Sequence, residues 1–146
     1  MSWRTFLETA LAMIDIIDSE LQADCGLSLR WYDVLVHLED APEGLRMNEL
    51  AGRILASKSG LTRVVDNMDK AGLVRRERPE DDRRTVLVFI TPKGLATLHS
   101  ARECHHASIQ NHFAEHLNND ELAALKDALE HIREHVRALR PGRISG

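Results

Sequence analysis

A charged, proline-containing loop between two strand-forming segments is the feature that most constrains the fold. Residues 75–84 read RRERPEDDRR and contain five arginines and four acids. The following TVLVFIT is rich in β-branched and aromatic residues, which is typical of a strand. The proline and the charges argue against a two-residue turn of the Asn-Gly type. We therefore expect strands at Leu73–Arg78 and Arg84–Ile90, joined by a longer, projecting loop.

The chain before this hairpin shows helical spacing of apolar residues. Gly26 breaks the first helix, and Ser28 and Ser57 are suited to cap the second and the fourth. In the fourth helix, Leu61, Val64, Val65 and Met68 recur at helical intervals and form its expected buried face. The predicted helices are Trp3–Gln22, Leu29–Glu39, Met47–Leu55 and Ser57–Ala71.

Two more helices are predicted after the hairpin. Thr91-Pro92 is a strong start, with a capping hydroxyl followed by proline at the first helical position, for a helix that runs to about His116. A turn at residues 118–120 precedes the sixth helix. Its apolar residues alternate at intervals of three and four, which indicates a heptad seam: Leu122, Leu125, Leu129, Ile132, Val136 and Leu139.

These elements predict a mainly α (α+β) chain with about six helices and a wing sheet of two to three strands. Two short helices, a tight turn, a longer helix and a hairpin form a winged helix-turn-helix. We expect a single chain, residues 1–146, with a winged helix-turn-helix lobe at 27–93. Residues 1–26 and 94–141 would form a helical dimerisation lobe.

The sequence also predicts a cytoplasmic protein. No apolar run approaches the ~18 residues of a membrane span, and the N-terminus lacks the features of a signal peptide. Cys25 and Cys104 are too far apart for a C-x-x-C motif, so we expect two reduced thiols.

Charge is distributed unevenly along the chain. Residues 52–93 contain ten basic and six acidic side chains, a net charge of +4, whereas the remainder contains nine basic and seventeen acidic ones, a net charge of −8. A basic middle between acidic ends favours a surface for a polyanion.

The fourth helix carries side chains suited to DNA on the side opposite its apolar face. Lys58, Ser59, Thr62 and Arg63 share one stripe near its N-terminus and are of the kinds that reach base edges and phosphates. The hairpin tip could enter the neighbouring minor groove, where arginine is attracted. We expect the acids Glu80, Asp81 and Asp82 to hold selected guanidiniums of the tip in fixed geometry. The alternative is a solvated, charge-balanced surface hairpin.

The segment NELAGRILASKSGLTRVVDNMDKAGLVRRERPEDDRRTVLVFITPKG resembles the helix-turn-helix and wing of the MarR transcriptional regulators. The family's wing pattern D-x-R-x-x-x-x-x-L-T falls on Asp82, Arg84, Ile90 and Thr91, with isoleucine in place of leucine. The K-A-G-L-V segment beginning at Lys70 also fits. The chain departs from the family at Leu55, where glycine is frequent.

The resemblance implies an obligate homodimer in which the first, fifth and sixth helices of each chain intertwine. It implies that Arg84, beside Arg83, enters the minor groove and that Asp82 fixes it. Ser57, Ser59, Thr62 and Arg63 would contact double-stranded DNA from the fourth helix.

A twofold dimer presents two winged helix-turn-helix lobes, each called a reading head. It should therefore bind a pseudo-palindrome whose half-sites lie about 10 bp apart. Occupying a promoter in this way would block the polymerase and so repress transcription. The resemblance also implies a small phenolic or anionic effector in a crevice between the dimer helices and the reading head. Met13, Arg30, Trp31, Tyr32 and His37 lie on helices expected to border that crevice. No cofactor and no membrane partner are expected.

Two other functions remain open from the sequence. His99 and Glu103 are four residues apart on one helix and could bind zinc with Asp33, which would make the protein a zinc-responsive regulator. A winged helix can also serve as a protein-interaction module without binding DNA. An enzyme is not expected, because we find no G-x-S-x-G, no phosphate-binding glycine loop and no H-E-x-x-H.

Overall fold

The first two helices begin and end close to where their local sequence signals lie. The computed structural model describes residues 2–55 and 59–139. Helix α1 spans Trp3–Cys25, three residues further than predicted, and ends at Gly26 as expected. Helix α2 spans Leu29–Glu39, and the Ser28 hydroxyl accepts a hydrogen bond from the Trp31 amide at 3.1 Å. This capping bond fixes the start of α2 at the predicted residue.

A short strand and two helices follow α2. Strand β1 is Leu45–Arg46, α3 spans Met47–Arg53 and α4 spans Leu61–Lys70. The prediction that the fourth helix begins at Ser57 is wrong for Ser59 and Gly60, which are not helical. Gly60 takes the left-handed conformation (φ 75°) directly before α4, so a turn stands where two helical residues were expected. Ser57 itself lies outside the described residues.

Strands β2, Val74–Glu77, and β3, Leu87–Ile90, form the expected hairpin. Both strands are shorter than predicted, and residues 78–86 make the longer loop. The sheet is antiparallel in the order β1-β3-β2, with Leu45 opposite Val88 and Val74 opposite Ile90. The small sheet therefore joins the segment before α3 to the wing.

Helix α5 spans Pro92–His112, and α6 spans Asn119–Leu139. The Thr91 hydroxyl accepts from the Gly94 amide at 3.0 Å, as its capping position predicts. Gly94 packs so closely against Leu73, the residue before β2, that a Cβ added to Gly94 would lie 2.0 Å from the Leu73 carbonyl oxygen. The helix ends four residues earlier than predicted, because Phe113 leaves the helical conformation and a 3-10 turn, Ala114–His116, follows.

Most of the core lies in the winged helix-turn-helix lobe, and Leu21 of α1 and Leu98 of α5 are buried in the same cluster. Val34, Leu35 and Leu38 of α2 are fully inaccessible to solvent and pack with Leu50, Met68 and Val88. Helix α6 has no buried residue in its described length. None of the described helices combines the length and the apolar character needed to cross a membrane.

The expectation of two separate reduced thiols is wrong. Cys25, at the end of α1, and Cys104, in α5, form a disulfide although they stand 79 residues apart. The packing of α1 against α5 brings the two sulfur atoms together, and the sequence spacing carries no sign of that contact.

Candidate nucleic-acid interface

Helix α4 has one buried and one exposed face. Leu61, Val65 and Met68 are buried, as predicted, and Val64 is half-buried against the same core. Thr62 and Arg63 are exposed on the opposite side. Two polar groups thus face solvent in the first turn of α4, where free amides and the positive end of the helix dipole also lie.

The other two residues of the predicted stripe do not lie on α4. Ser59 belongs to the turn before the helix and is exposed, and its carbonyl oxygen accepts a hydrogen bond from Arg30 Nη2 at 2.5 Å. Lys58 lies outside the described residues, as does Ser57.

The segment before that turn accommodates Leu55 without strain. No described residue other than glycine has a positive φ, so Leu55 does not need the left-handed conformation that glycine would supply there. Its amide donates to Asp33 Oδ2 at 2.7 Å, and its side chain is exposed.

The wing tip is organised by Asp82 through backbone groups. Asp82 Oδ1 accepts from the Arg84 amide at 3.1 Å, and Oδ2 accepts from the Thr85 hydroxyl at 2.5 Å. The Thr85 hydroxyl and the Arg84 amide lower the pKa of Asp82 below its ordinary 3.8, so the carboxylate is charged at neutral pH. Across the loop, Arg78 Nη1 donates to the Arg83 carbonyl oxygen at 2.8 Å.

The expectation that the tip acids hold guanidiniums is wrong for Asp82. Its two oxygens hold the backbone and the hydroxyl of the next residues, because the chain reverses direction directly after it. Within the described ranges, the guanidinium of Arg84 makes no hydrogen bond or ion pair, and both Arg83 and Arg84 are exposed. The Arg84 side chain is therefore available to a ligand while its backbone is held.

The base of the wing contains acid–arginine contacts that the sequence analysis missed. Arg76 of β2 lies against Asp66 and Asp69 of α4, with its Nε 3.0 Å from Asp69 Oδ2. On the other side of β2, the Arg75 guanidinium stacks over the Phe89 ring at 4.2 Å. The spacing of Asp66 and Asp69, three residues apart on α4, is a signal that could have indicated a shared partner.

The residues predicted to border an effector crevice lie on two helices. Met13 is half-buried on α1, whereas Arg30, Trp31 and His37 are half-buried on α2. Tyr32 is buried and stacks on His105 of α5, with ring centroids 4.5 Å apart. A groove of about 520 Å³ lies elsewhere, between Phe113 and α6, and is lined by Leu122, Leu125 and Leu129.

The structure does not bring together the alternative zinc set. His99 Nε2 lies 3.3 Å from Glu39, whereas Asp33 Oδ1 lies 3.3 Å from His37 Nε2 on the other side of α2. Among residues 2–55 and 59–139, no three metal-binding side chains converge. The i, i+4 spacing of His99 and Glu103 does not indicate which side chains of the neighbouring helix face them.

Comparison with known proteins gives a consistent result. The profile of the MarR family matches residues 26–85. AbsC of Streptomyces coelicolor, a MarR family transcriptional regulator, is 36% identical, with a TM-score of 0.81 over 93% of this chain and 92% of AbsC. The chain belongs to the MarR family. Members of this family are transcriptional regulators and not enzymes.

Other transcriptional regulators are similar over most of this chain. Sco3205 of Streptomyces coelicolor, solved in complex with DNA, is 28% identical, with a TM-score of 0.81 over 98% of this chain and 88% of Sco3205. The regulator PecS of Dickeya dadantii (strain 3937) is 30% identical over 115 residues, or 77% of this chain. That match spans 62% of the length of PecS.

Proposed function

We propose that this MarR-family chain binds double-stranded DNA as a homodimer, with α4 in the major groove and the wing tip in the adjacent minor groove. The observation that carries the proposal is that the backbone of the wing tip is anchored while the Arg84 guanidinium makes no hydrogen bond or ion pair with any described residue. Thr62 and Arg63 lie exposed on α4 for base edges and phosphates. The net charge of +4 over residues 52–93 supplies long-range attraction to DNA.

Further residues are proposed to contact DNA beside Arg84, Thr62 and Arg63. Ser57 and Lys58 would contact DNA from the segment before α4, together with Ser59. Asp82 acts indirectly by holding the Arg84 backbone, and Arg83 contributes charge at the tip. Arg46 also lies close enough to lower the pKa of Asp82, after the hydrogen bonds from Thr85 and Arg84.

The proposed dimer buries apolar side chains that are open to solvent in one chain. Ile14 of α1 is 51% exposed and Ile132 of α6 is 58% exposed. The groove beside Phe113, which leucines of α6 line, exposes further apolar surface in the same lobe. Large apolar residues at heptad spacing are stabilised when a partner helix covers them. We expect Ile132→Asp to convert a dimer into monomers in sedimentation analysis, whereas Glu134→Asp, on the same helix, leaves the dimer intact.

The dimer would act as a repressor by occupying a pseudo-palindrome with half-sites about 10 bp apart. A small phenolic or other anionic effector would release it from DNA. To do so, the effector must bind more tightly to the dimer in which the distance between the two reading heads does not fit DNA than to the dimer in which it does. Met13, Arg30, Trp31 and His37 are the residues proposed to border its crevice.

The deciding experiment selects the preferred DNA from a random duplex library and measures its affinity against salt concentration. A dimer that neutralises about 6–10 phosphates should lose about 10³–10⁵ in affinity between 50 and 200 mM salt. A protein-interaction module would enrich no sequence and would show no such slope. A panel of phenolic acids, added to the selected complex, then tests the effector class by release of the DNA.

A further inference from the structure

One face of α2 is directed at the turn that leads into α4. Arg30, Asp33 and His37 follow each other at intervals of three and four residues, so they share that face. All three are half-buried, and the side chain of Asp33 is 15% exposed. These side chains are therefore partly covered on the side of α2 that faces the start of α4.

Asp33 satisfies a backbone donor that α3 leaves without a helical acceptor. Helix α3 ends at Arg53, and Ile54 is extended (φ −65°, ψ 145°), so the next amide points away from the helix. That amide, of Leu55, donates to Asp33 Oδ2 at 2.7 Å. A hydrogen bond to a carboxylate is stronger than one between neutral groups, and the Asp33 side chain that accepts this bond is 15% exposed.

The same face of α2 also contacts the described turn, Ser59 and Gly60, that directly precedes α4. Arg30 Nη2 donates to the carbonyl oxygen of Ser59 at 2.5 Å, and Ser59 is followed by Gly60 and the first residue of α4. His37 Nε2 lies 3.3 Å from the second oxygen of Asp33 and steadies the carboxylate. Two bonds from one rigid helix thus hold the chain where it leaves α3 and where it enters α4.

We propose that Asp33 is a positioning residue for DNA recognition, which sets the direction of α4 by fixing the Leu55 amide. The proposal rests on the proposed function, in which α4 enters the major groove. Loss of the bond lets the turn relax, so the base contacts of α4 become less selective while phosphate contacts from the wing persist.

The experiment measures the affinity for the library-selected duplex and for an unrelated duplex of equal length, at several salt concentrations. Asp33→Ala removes the acceptor, whereas Asp33→Asn keeps an oxygen that can accept from Leu55. Asp40→Asn is the matched control, because Asp40 is an exposed aspartate at the end of the same helix. Thermal melting of each variant is recorded alongside.

Asp33→Ala should reduce discrimination between the two duplexes by about tenfold, a loss comparable to one mismatched base pair. Its salt slope and its affinity for the unrelated duplex should stay within about twofold of the parent, since phosphate contacts remain. Asp33→Asn should recover most of the discrimination, and Asp40→Asn should match the parent.

A second pair of variants tests the donor. Leu55→Pro removes the amide hydrogen together with the leucine side chain, at a position whose preceding residue is already extended, as proline requires. Leu55→Ala removes the side chain but keeps the amide hydrogen, so it is the matched control. Leu55→Pro should resemble Asp33→Ala, and the combined variant should lose no more than either one. Additive losses would overturn the proposal, and so would normal discrimination by a folded Asp33→Ala or by Leu55→Pro.

Arg84→Ala separates this inference from the proposed function. If Arg84→Ala loses affinity while Asp33→Ala and Leu55→Pro discriminate normally, the positioning role alone is overturned. If Arg84→Ala and Arg63→Ala also bind as the parent does, the proposed DNA surface fails and the positioning role fails with it.

Discussion

Arg76 of the wing and Asp69 of helix α4 are joined by two contacts, from Nε and Nη2 of the guanidinium to Oδ2, each at 3.0 Å. Asp66, one turn earlier, contacts the third nitrogen of the same group. Because the guanidinium is planar and contacts two carboxylates, it restrains the orientation of β2 relative to α4 as well as the distance between them. The angle between α4 and the wing is therefore set by a side-chain contact in addition to the core.

Arg76→Ala should weaken binding to the selected duplex severalfold although Arg76 is not among the proposed DNA contacts. The unfolding free energy should fall by less than about 1 kcal/mol, because these side chains are more than a third exposed and solvent screens the pair. Fluorescence anisotropy and urea unfolding give the two values. Arg76→Lys keeps the charge but lacks the planar guanidinium that contacts both carboxylates, so it should recover only part of the affinity. Parent-like binding by Arg76→Ala would rule out the coupling.

Asp82→Ala should loosen the wing tip and weaken DNA binding by less than the loss of Arg84 itself. The carboxylate holds the Arg84 amide and the Thr85 hydroxyl, so its removal frees both. Hydrogen exchange should become faster for the peptide covering residues 80–86. Asp81→Ala, an exposed neighbour in the same loop, is the control. Unchanged exchange in Asp82→Ala would mean that the tip is held by other groups.

The protein purified without reductant should show no titratable thiol after denaturation, because Cys25 and Cys104 are paired. Reduction should lower the unfolding free energy by about 4 kcal/mol, since the bond closes a long loop in the unfolded chain. Cys25→Ser should behave like the reduced protein with or without reductant. Recovery of two thiols from the unreduced parent would contradict the pairing.

His105 should make the fold less stable in mild acid. Burial between helices, with a smaller contribution from His106, lowers the pKa of His105 below its ordinary 6.5. The unfolded chain therefore takes up the proton first, so stability that is present above pH 6.5 is lost as the pH falls toward the lowered folded value. Urea unfolding from pH 7.5 to about pH 5 measures this slope.

The matched variants for this pH dependence are His105→Phe and His131→Phe. Phenylalanine keeps a ring against Tyr32 but cannot be protonated, so His105→Phe should flatten the slope below pH 6.5. His131 is exposed on α6, and its replacement should leave the slope unchanged. An equal slope in His105→Phe and the parent would show that other groups cause the acid sensitivity.

The sequence predicts those features that depend on neighbours a few residues away. Ser28 and Thr91 cap α2 and α5 through bonds to amides three residues ahead, so their types and positions carry the signal. The buried face of α4 follows from helical periodicity in the same way. The fourth helix starts late because Gly60, which the periodicity overlooked, favours a turn.

The features that the sequence did not predict join residues far apart along the chain. Asp33 meets Leu55 and Cys25 meets Cys104 because the helices pack as they do, and Arg76 meets Asp66 because β2 packs beside α4. Asp82 holds the wing tip through the Arg84 amide and the Thr85 hydroxyl and not through a guanidinium, because a carboxylate beside a chain reversal binds nearby amides and hydroxyls first. Pairing of opposite charges in sequence does not specify which atoms meet.

The affinity of Arg84→Ala for the selected duplex, at the same salt concentration as the parent, tests the central claim most directly. A guanidinium that enters the minor groove predicts a loss of about 1–3 kcal/mol in binding free energy. Arg4→Ala is the control, since Arg4 is an exposed arginine on α1 that pairs with Glu8. If Arg84→Ala binds as tightly as Arg4→Ala and the parent, the wing does not read DNA and the account is contradicted.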